Sequence, residues 1–317
     1  MKKLFLVFLV LMLAFQLFSQ KYNGKKILYI DSYHEGYEWS DGITNGIKSS
    51  LKDTGITLEV FRMDTKRNGS EELKKQSALN AKQKIEQFKP DVVIVSDDNA
   101  TKYVLAEYYK NSTLPCIFCG VNFDASVYGF PTKNITGMVE MEMMAQIIQN
   151  LKDYAKGDRV ALLSSDNETS RKVGMWTKKL YAPNLIEFYA KNYAEWKKLY
   201  LEVQGKADIL LFDNNAGIND WNDKDAQEYV LNNTKIPSGA NNAWMTPYTL
   251  LGVTKVAEEF GEWSALTAFK ILDGTSPADI PVVTNKKGKL SLNMKLANKL
   301  GVTFKPAQLK GASEIIK

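Results

Sequence analysis

The residues best equipped for chemistry near the start of the chain are crowded into one short connection. Ser32, Tyr33, His34, Tyr37 and Trp39 fall within KILYIDSYHEGYEWSDGI, residues 26–43. Hydroxyls, an imidazole, phenols and an indole can hydrogen-bond a polar solute, and the rings can stack on an aromatic or cationic one. The apolar run 27–30 before them reads as a buried strand, and a helical pattern opens at Ser40 or Asp41 after them. A strand that stops in such a loop before a helix N-terminus is where open α/β sheets place ligands. The competing reading is that Tyr37 and Trp39 pin the loop to the core. For the loop as a whole, ligand contact is expected.

The same chemistry recurs down the chain. Asp97 and Asp98 follow the apolar run 92–95, Asn122 follows 116–119, Ser165 and Asp166 follow 159–163, and Asp213 and Asn214 follow 209–212. Asn242 and Trp244 follow the short run 235–237. Asp97 and Asp98 have two readings, as caps of a helix beginning near Asn99 or as ligand contacts. Side chains of adjacent residues diverge, so the two are not a catalytic pair by spacing. Ser165 with Glu168 three residues on reads as a capping box.

These loops need a scaffold, and the chain supplies a regular βα series. Runs 27–30, 57–62, 92–95 and 116–119 read as strands, and 42–51, 71–88 and 100–109 as helices. Ser70 and Pro90 mark the ends of the second helix. Continuously apolar runs such as VVIV require strands covered on both faces, hence a parallel sheet. After a strand-like stretch at 134–142 and a helix to about residue 154, the alternation restarts. Strands are expected at 159–163, 185–189 and 209–212, and helices at 169–181, 195–203 and 223–231. Residues 253–272, after Gly252, read as an apolar helix returning to the first lobe. Residues 289–293 alternate like a strand, and 294–300 form a short helix ended by Gly301. The expected organisation is a first lobe of 20–136 with 249–274 and a second of 137–248. The tail 275–317 is left unassigned. Ligand would be held in a cleft between the lobes.

Composition narrows the function. Lys2 and Lys3 precede an apolar run, and Ser19 offers a cleavage point, so residues 1–19 read as an export signal and the expected compartment is the periplasm. Without those two lysines the net charge of +5 falls to +3, with both signs interleaved, which disfavours nucleic acid as partner. Cys116 and Cys119 sit three apart in the strand-like PCIFCGV, so they face opposite ways and read as buried free thiols. One histidine cannot make a closed metal site, and no serine has a GxSxG elbow, so a Ser/His34 hydrolase is the minor alternative and no metal or cofactor is expected. With only four arginines, multiply phosphorylated ligands are disfavoured. The methionines at 138, 141, 143 and 144 read as core, and 286–289 as a solvated turn.

The segments LSLNMKLANKLGVTFKPAQLKGASEII, PCIFCGVNFDAS, NITGMVE and AFKILDGTSPADIPV together resemble the ABC-transporter substrate-binding family that includes tryptophan-binding-like proteins. DSYHEGYEWSDGI is similar to a subgroup that also serves as extracellular domains of sensor kinases. The resemblance implies two Rossmann-like α/β lobes of the type I periplasmic-binding architecture. It also implies capture of a small organic solute, an amino acid or a relative, aromatic ones included, without covalent chemistry. The expected partner is an ABC permease or a membrane sensor, and the chain is expected to act as a monomer.

Overall fold

In the computed structural model, which describes residues 21–317, strand and helix alternate almost throughout. The expected export signal lies outside the described residues. Among them, no helix is long and apolar enough to cross a membrane. The chain opens with β1 (Lys26–Asp31), α1 (Glu38–Leu51), β2 (Thr57–Arg62), α2 (Glu71–Phe88) and β3 (Val92–Ser96). Next come α3 (Asp97–Ala100), continued by a π-helix over Thr101–Tyr109, then β4 (Cys116–Asn122) and β5 (Ile135–Glu140). A second series follows: α4 (Met144–Lys152), β6 (Val160–Ser165), α5 (Glu168–Leu180), β7 (Ile186–Ala190), α6 (Tyr193–Lys206), β8 (Ile209–Phe212), α7 (Asp223–Asn233), β9 (Ser238–Ala240) and β10 (Leu251–Lys255). The last elements are α8 (Ala257–Leu272), β11 (Val283–Thr284), β12 (Gly288–Asn293), α9 (Met294–Leu300), α10 (Pro306–Gly311) and β13 (Ala312–Ile316).

Two units result. The first comprises the chain up to Met141 with Val256–Asn285, and the second Glu142–Lys255 with Lys286–Lys317. Residues 249–255, expected with the first lobe, pair within the second unit's sheet, and the unassigned tail is shared between the two.

The first sheet runs β11-β5-β4-β3-β1-β2, with every pair parallel. Its side chains divide by parity. Leu28, Ile30, Val93, Val95, Cys116 and Phe118 pack on one face, and Ile27, Tyr29, Val92, Ile94, Ile117 and Cys119 on the other. The two thiols are therefore free, buried and on opposite faces, and burial pushes both well above the usual thiol range. On the Tyr29 face, α1 and α8 touch backbone to backbone. A Cβ at Gly46 would lie 2.3 Å from the Glu258 carbonyl oxygen, and one at Gly261 2.0 Å from that of Ile43. Met138, Met141, Met143 and Met144 are all buried.

The second sheet runs β13-β12-β10-β9-β8-β6-β7 and is parallel except where β12 meets β10. On α6, Trp196 stacks between Tyr193 and Tyr200 and meets Trp221 edge-on at 4.8 Å.

Three local expectations are corrected. The first helix starts at Glu38, not at Ser40 or Asp41, because the Asp41 N–H already closes a helical bond on the Tyr37 carbonyl at 2.9 Å. The run expected as one helix over 253–272 is a strand, β10, followed by α8. Leu251 and Val253 are buried apolar residues of a covered strand, which periodicity does not separate from a buried helix. Ser165 makes no capping box, since it is the last residue of β6. The cap of α5 is Asn167, whose Oδ1 accepts from the Ser170 N–H at 2.9 Å.

Candidate functional site

In a parallel sheet the ligand crevice opens where successive connections leave in opposite directions. The first sheet has that switch between β1 and β3, since β2 lies on one side of β1 and β3, β4 and β5 follow on the other. The loops after β1 and β3 therefore diverge there, carrying Ser32, Tyr33, His34, Tyr37 and Trp39 on one side and Asp97 and Asp98 on the other.

Asp97 is the centre of this region. It is 3% exposed and adopts the left-handed backbone conformation, φ 65°. Trp39 donates its Nε1–H to Oδ1 at 3.0 Å, while the buried Oδ2 has no hydrogen-bond partner among the described residues. Burial above all, then the neighbouring Glu140 and Asp31, pushes the carboxyl well above the usual range. Gly120, at φ 71°, leaves room for it, because a Cβ there would sit 3.2 Å from Oδ1. Neither aspartate caps a helix as one reading had it. The helix begins at Asp97 itself, and Asp98 accepts from Asn122 Nδ2 at 2.6 Å and from the Tyr128 hydroxyl at 2.7 Å.

Tyr33 and Tyr37 meet edge-on at 5.4 Å. The ammonium of Lys66 lies 4.9 Å from the first ring and 3.9 Å from the second, and donates to the Tyr37 hydroxyl at 2.7 Å. The pair thus already holds a cation. Burial, then Asp97, raises the Tyr33 phenol. His34 has its Nδ1 2.9 Å from the Glu35 carbonyl oxygen and its ring 5.9 Å from that of Tyr37. Ser32 is fully engaged, donating to the Ser96 carbonyl at 2.5 Å and accepting from the Ala100 N–H at 2.8 Å. It ties the two loops together.

Asp31 and Arg62 belong to this region too, though neither stands out in the sequence. Asp31 is completely buried. It accepts from Ser40 Oγ at 2.8 Å and the Tyr33 N–H at 3.1 Å, and pairs with Arg62. The sequence carried only half of the signal: Arg62 ends one strand-like run and Asp31 follows another, while the register that sets them side by side comes from the folded sheet. Glu140, ending β5, was also missed.

The second sheet switches direction between β6 and β8, which brings Ser165 and Asp166 beside Asp213 and Asn214. Here the polar groups satisfy one another. Asp213, 2% exposed, accepts from Ser164 Oγ at 3.0 Å, Asn214 Nδ2 at 2.7 Å and Asn241 Nδ2 at 3.1 Å. Burial, then Glu142, raises its carboxyl. Ser165 donates to Asn214 Oδ1 at 3.0 Å, Asn242 Nδ2 to the Asp213 carbonyl at 2.9 Å, and Asp166 pairs with Arg171 at 2.6 Å. Glu142 and Lys255, missed from the sequence, form a half-hidden ion pair at 2.6 Å. Trp244 stands apart, 57% exposed. Among the described residues no group of three or more His, Cys, Asp or Glu side chains could hold a metal ion.

Residues 37–316 match the family model described as ABC transporter substrate binding protein. No curated protein matches the chain. Among solved structures, the ligand-free, open form of a substrate binding protein with adhesive properties from Clostridium difficile is similar at 17% identity and TM-score 0.69, over 92% of this chain and 99% of that one. An ABC domain in complex with L-Trp from Streptococcus pneumonia aligns over the same shares at 21% identity and TM-score 0.54. A periplasmic ribose ABC transporter protein from Conexibacter woesei aligns over 90% and 97% at 12% identity and TM-score 0.56. The two α/β units share the type I periplasmic-binding architecture of these neighbours, and the match over residues 37–316 makes the chain a member of the ABC transporter substrate binding protein family.

Proposed function

We propose that the solute captured by this substrate-binding protein is a small primary amine with an apolar or aromatic body, of which an amino acid is the simplest case. One observation carries this reading: Asp97 keeps a buried carboxylate oxygen without a partner, at the switch point of the first sheet. A buried unpaired carboxylate is costly, and a ligand ammonium supplies both the charge and the hydrogen bonds it lacks. The left-handed backbone at Asp97 is a strain of about 1–3 kcal/mol of the kind kept at ligand sites. The faces of Tyr33 and Tyr37, which hold the Lys66 ammonium in the free chain, suit a cationic ligand equally well. Because Oδ2 is buried, entry of the solute requires the groups packed around it to yield.

Binding replaces a proton on Asp97 by an ammonium, so affinity rises with pH through the raised pKa of that carboxyl. The L-Trp complex among the structural neighbours agrees with an amine ligand but belongs to another protein. Isothermal titration of tryptophan, tyrosine, leucine and their deaminated analogues, such as indole-3-propionate, tests the reading. Binding confined to amines and lost in Asp97→Asn is the expected outcome. Equal binding of an amine and its deaminated analogue, or unchanged binding by Asp97→Asn, would overturn it.

A further inference from the structure

We propose that the second unit carries a separate ligand site, at the edge of its sheet opposite Asp213, for a small carboxylate with an apolar body. A cavity of about 320 Å³ lies where the chain enters β6, β8 and β9, with α9 alongside. That volume is at the lower end of small-molecule pockets. Lys156, Arg159 and Lys235 line it together with the apolar surface of Ala207, Pro237 and Val302.

Gln204 gives the cavity its chemistry. It lines the wall, is 8% exposed, and its Oε1 accepts from the N–H groups of Lys235 at 2.8 Å and Ile236 at 3.3 Å. Those bonds fix which end of the amide is oxygen. The buried Nε2 is left without a hydrogen-bond partner among the described residues. A buried donor in this state costs about 1–3 kcal/mol; Nε2 is closed off from solvent, so a ligand oxygen gains that bond only where the wall at Gln204 yields slightly to let it in. Charge selects the kind of oxygen. Arg159 forks onto Asp208 at 2.9 and 3.0 Å and is neutralised. Lys156 and Lys235 have no ion-pair partner among the described residues, which leaves the rim positive. One fixed amide donor, flexible ammonium groups and a half-apolar wall fit a carboxylate on an apolar body better than a phosphate, which demands more donors. This site stands independently of Asp97.

Titration of the full chain with 4-fluorobenzoate, followed by fluorine NMR, tests the site. Gln204→Glu keeps the acceptor for Lys235 and Ile236 but replaces the free donor with negative charge, and Lys235→Ala removes one rim cation without touching the core. Saturable binding that weakens at least about tenfold in Gln204→Glu and several-fold in Lys235→Ala, and is unchanged in Asp97→Asn, is the expected result. Absence of saturable binding overturns the proposal. So does binding indifferent to Gln204→Glu, or binding lost in Asp97→Asn, which would place the probe at the other site.

Discussion

Asp31 and Asp97 are buried carboxylates at the same strand-end crevice with opposite circumstances. Asp31 is neutralised by Arg62 and held by Ser40 and the Tyr33 N–H, whereas Asp97 has a single donor among the described residues, Trp39. Two predictions follow from the contrast. Arg62→Ala strands the Asp31 charge and should destabilise the protein by about 3–5 kcal/mol in urea unfolding. Asp97→Asn should do the reverse in the absence of solute, raising the melting temperature at neutral pH. The sign follows from linkage. A carboxyl whose pKa is higher folded than unfolded holds its proton more tightly when folded, so its contribution is full in acid. It is lost as pH rises from about 4 towards the folded pKa. Melting temperatures of the two proteins should therefore diverge across that window, and parallel curves would deny Asp97 the role. That Asp97 lies at the strand-end edge of the first sheet was legible from its place after an apolar strand. Which of the adjacent aspartates keeps an oxygen free was not, because Trp39, Asn122 and Tyr128 reach them from other elements.

At the scale of elements, the signals that worked were those with a local mechanism. The bounds of α2 follow from Ser70, whose hydroxyl accepts from the Leu73 N–H, and from the chain turning left-handed at Lys89 before Pro90. α9 ends at Gly301, φ 67°, as its sequence dictates. β10 was hidden because its evidence is not local. A short, partly apolar run becomes a strand only when β9 and β12 lie on either side of it. The contact of α1 with α8 was equally invisible, since glycine in a helix reads only as a weak point. Ala for Gly in a helix interior normally helps by about 0.5–1 kcal/mol. At Gly46 and Gly261 the new methyl would meet backbone rather than a movable side chain. Overpacking of about 1–3 kcal/mol should then outweigh the propensity gain, and either alanine variant should lower the urea midpoint. A rise in midpoint would show that the helices can part.

At the scale of the molecule, the two-unit organisation was legible because each βα series restarts after a strand-like crossover. The division of the tail was not, since only pairing with β5 and β10 decides where β11 and β12 go. The second unit depends on that return. Ending the chain after Thr284 would remove β12 and β13 and leave β10 as a bare, largely buried edge. Such a truncation should appear as aggregate in size-exclusion chromatography, and a monodisperse, helical product would contradict the dependence.

The interleaving of the units also sets a timetable. The first sheet waits for β11 at Val283–Thr284, and the second for β12 and β13, which end at Ile316. During synthesis, then, neither sheet can be finished until nearly all the described chain has emerged. The nascent polypeptide carries two incomplete, sticky borders at once. A protein built this way commits to its fold only when its last strands arrive, and until then its open borders are exposed to chaperones and to other copies of itself.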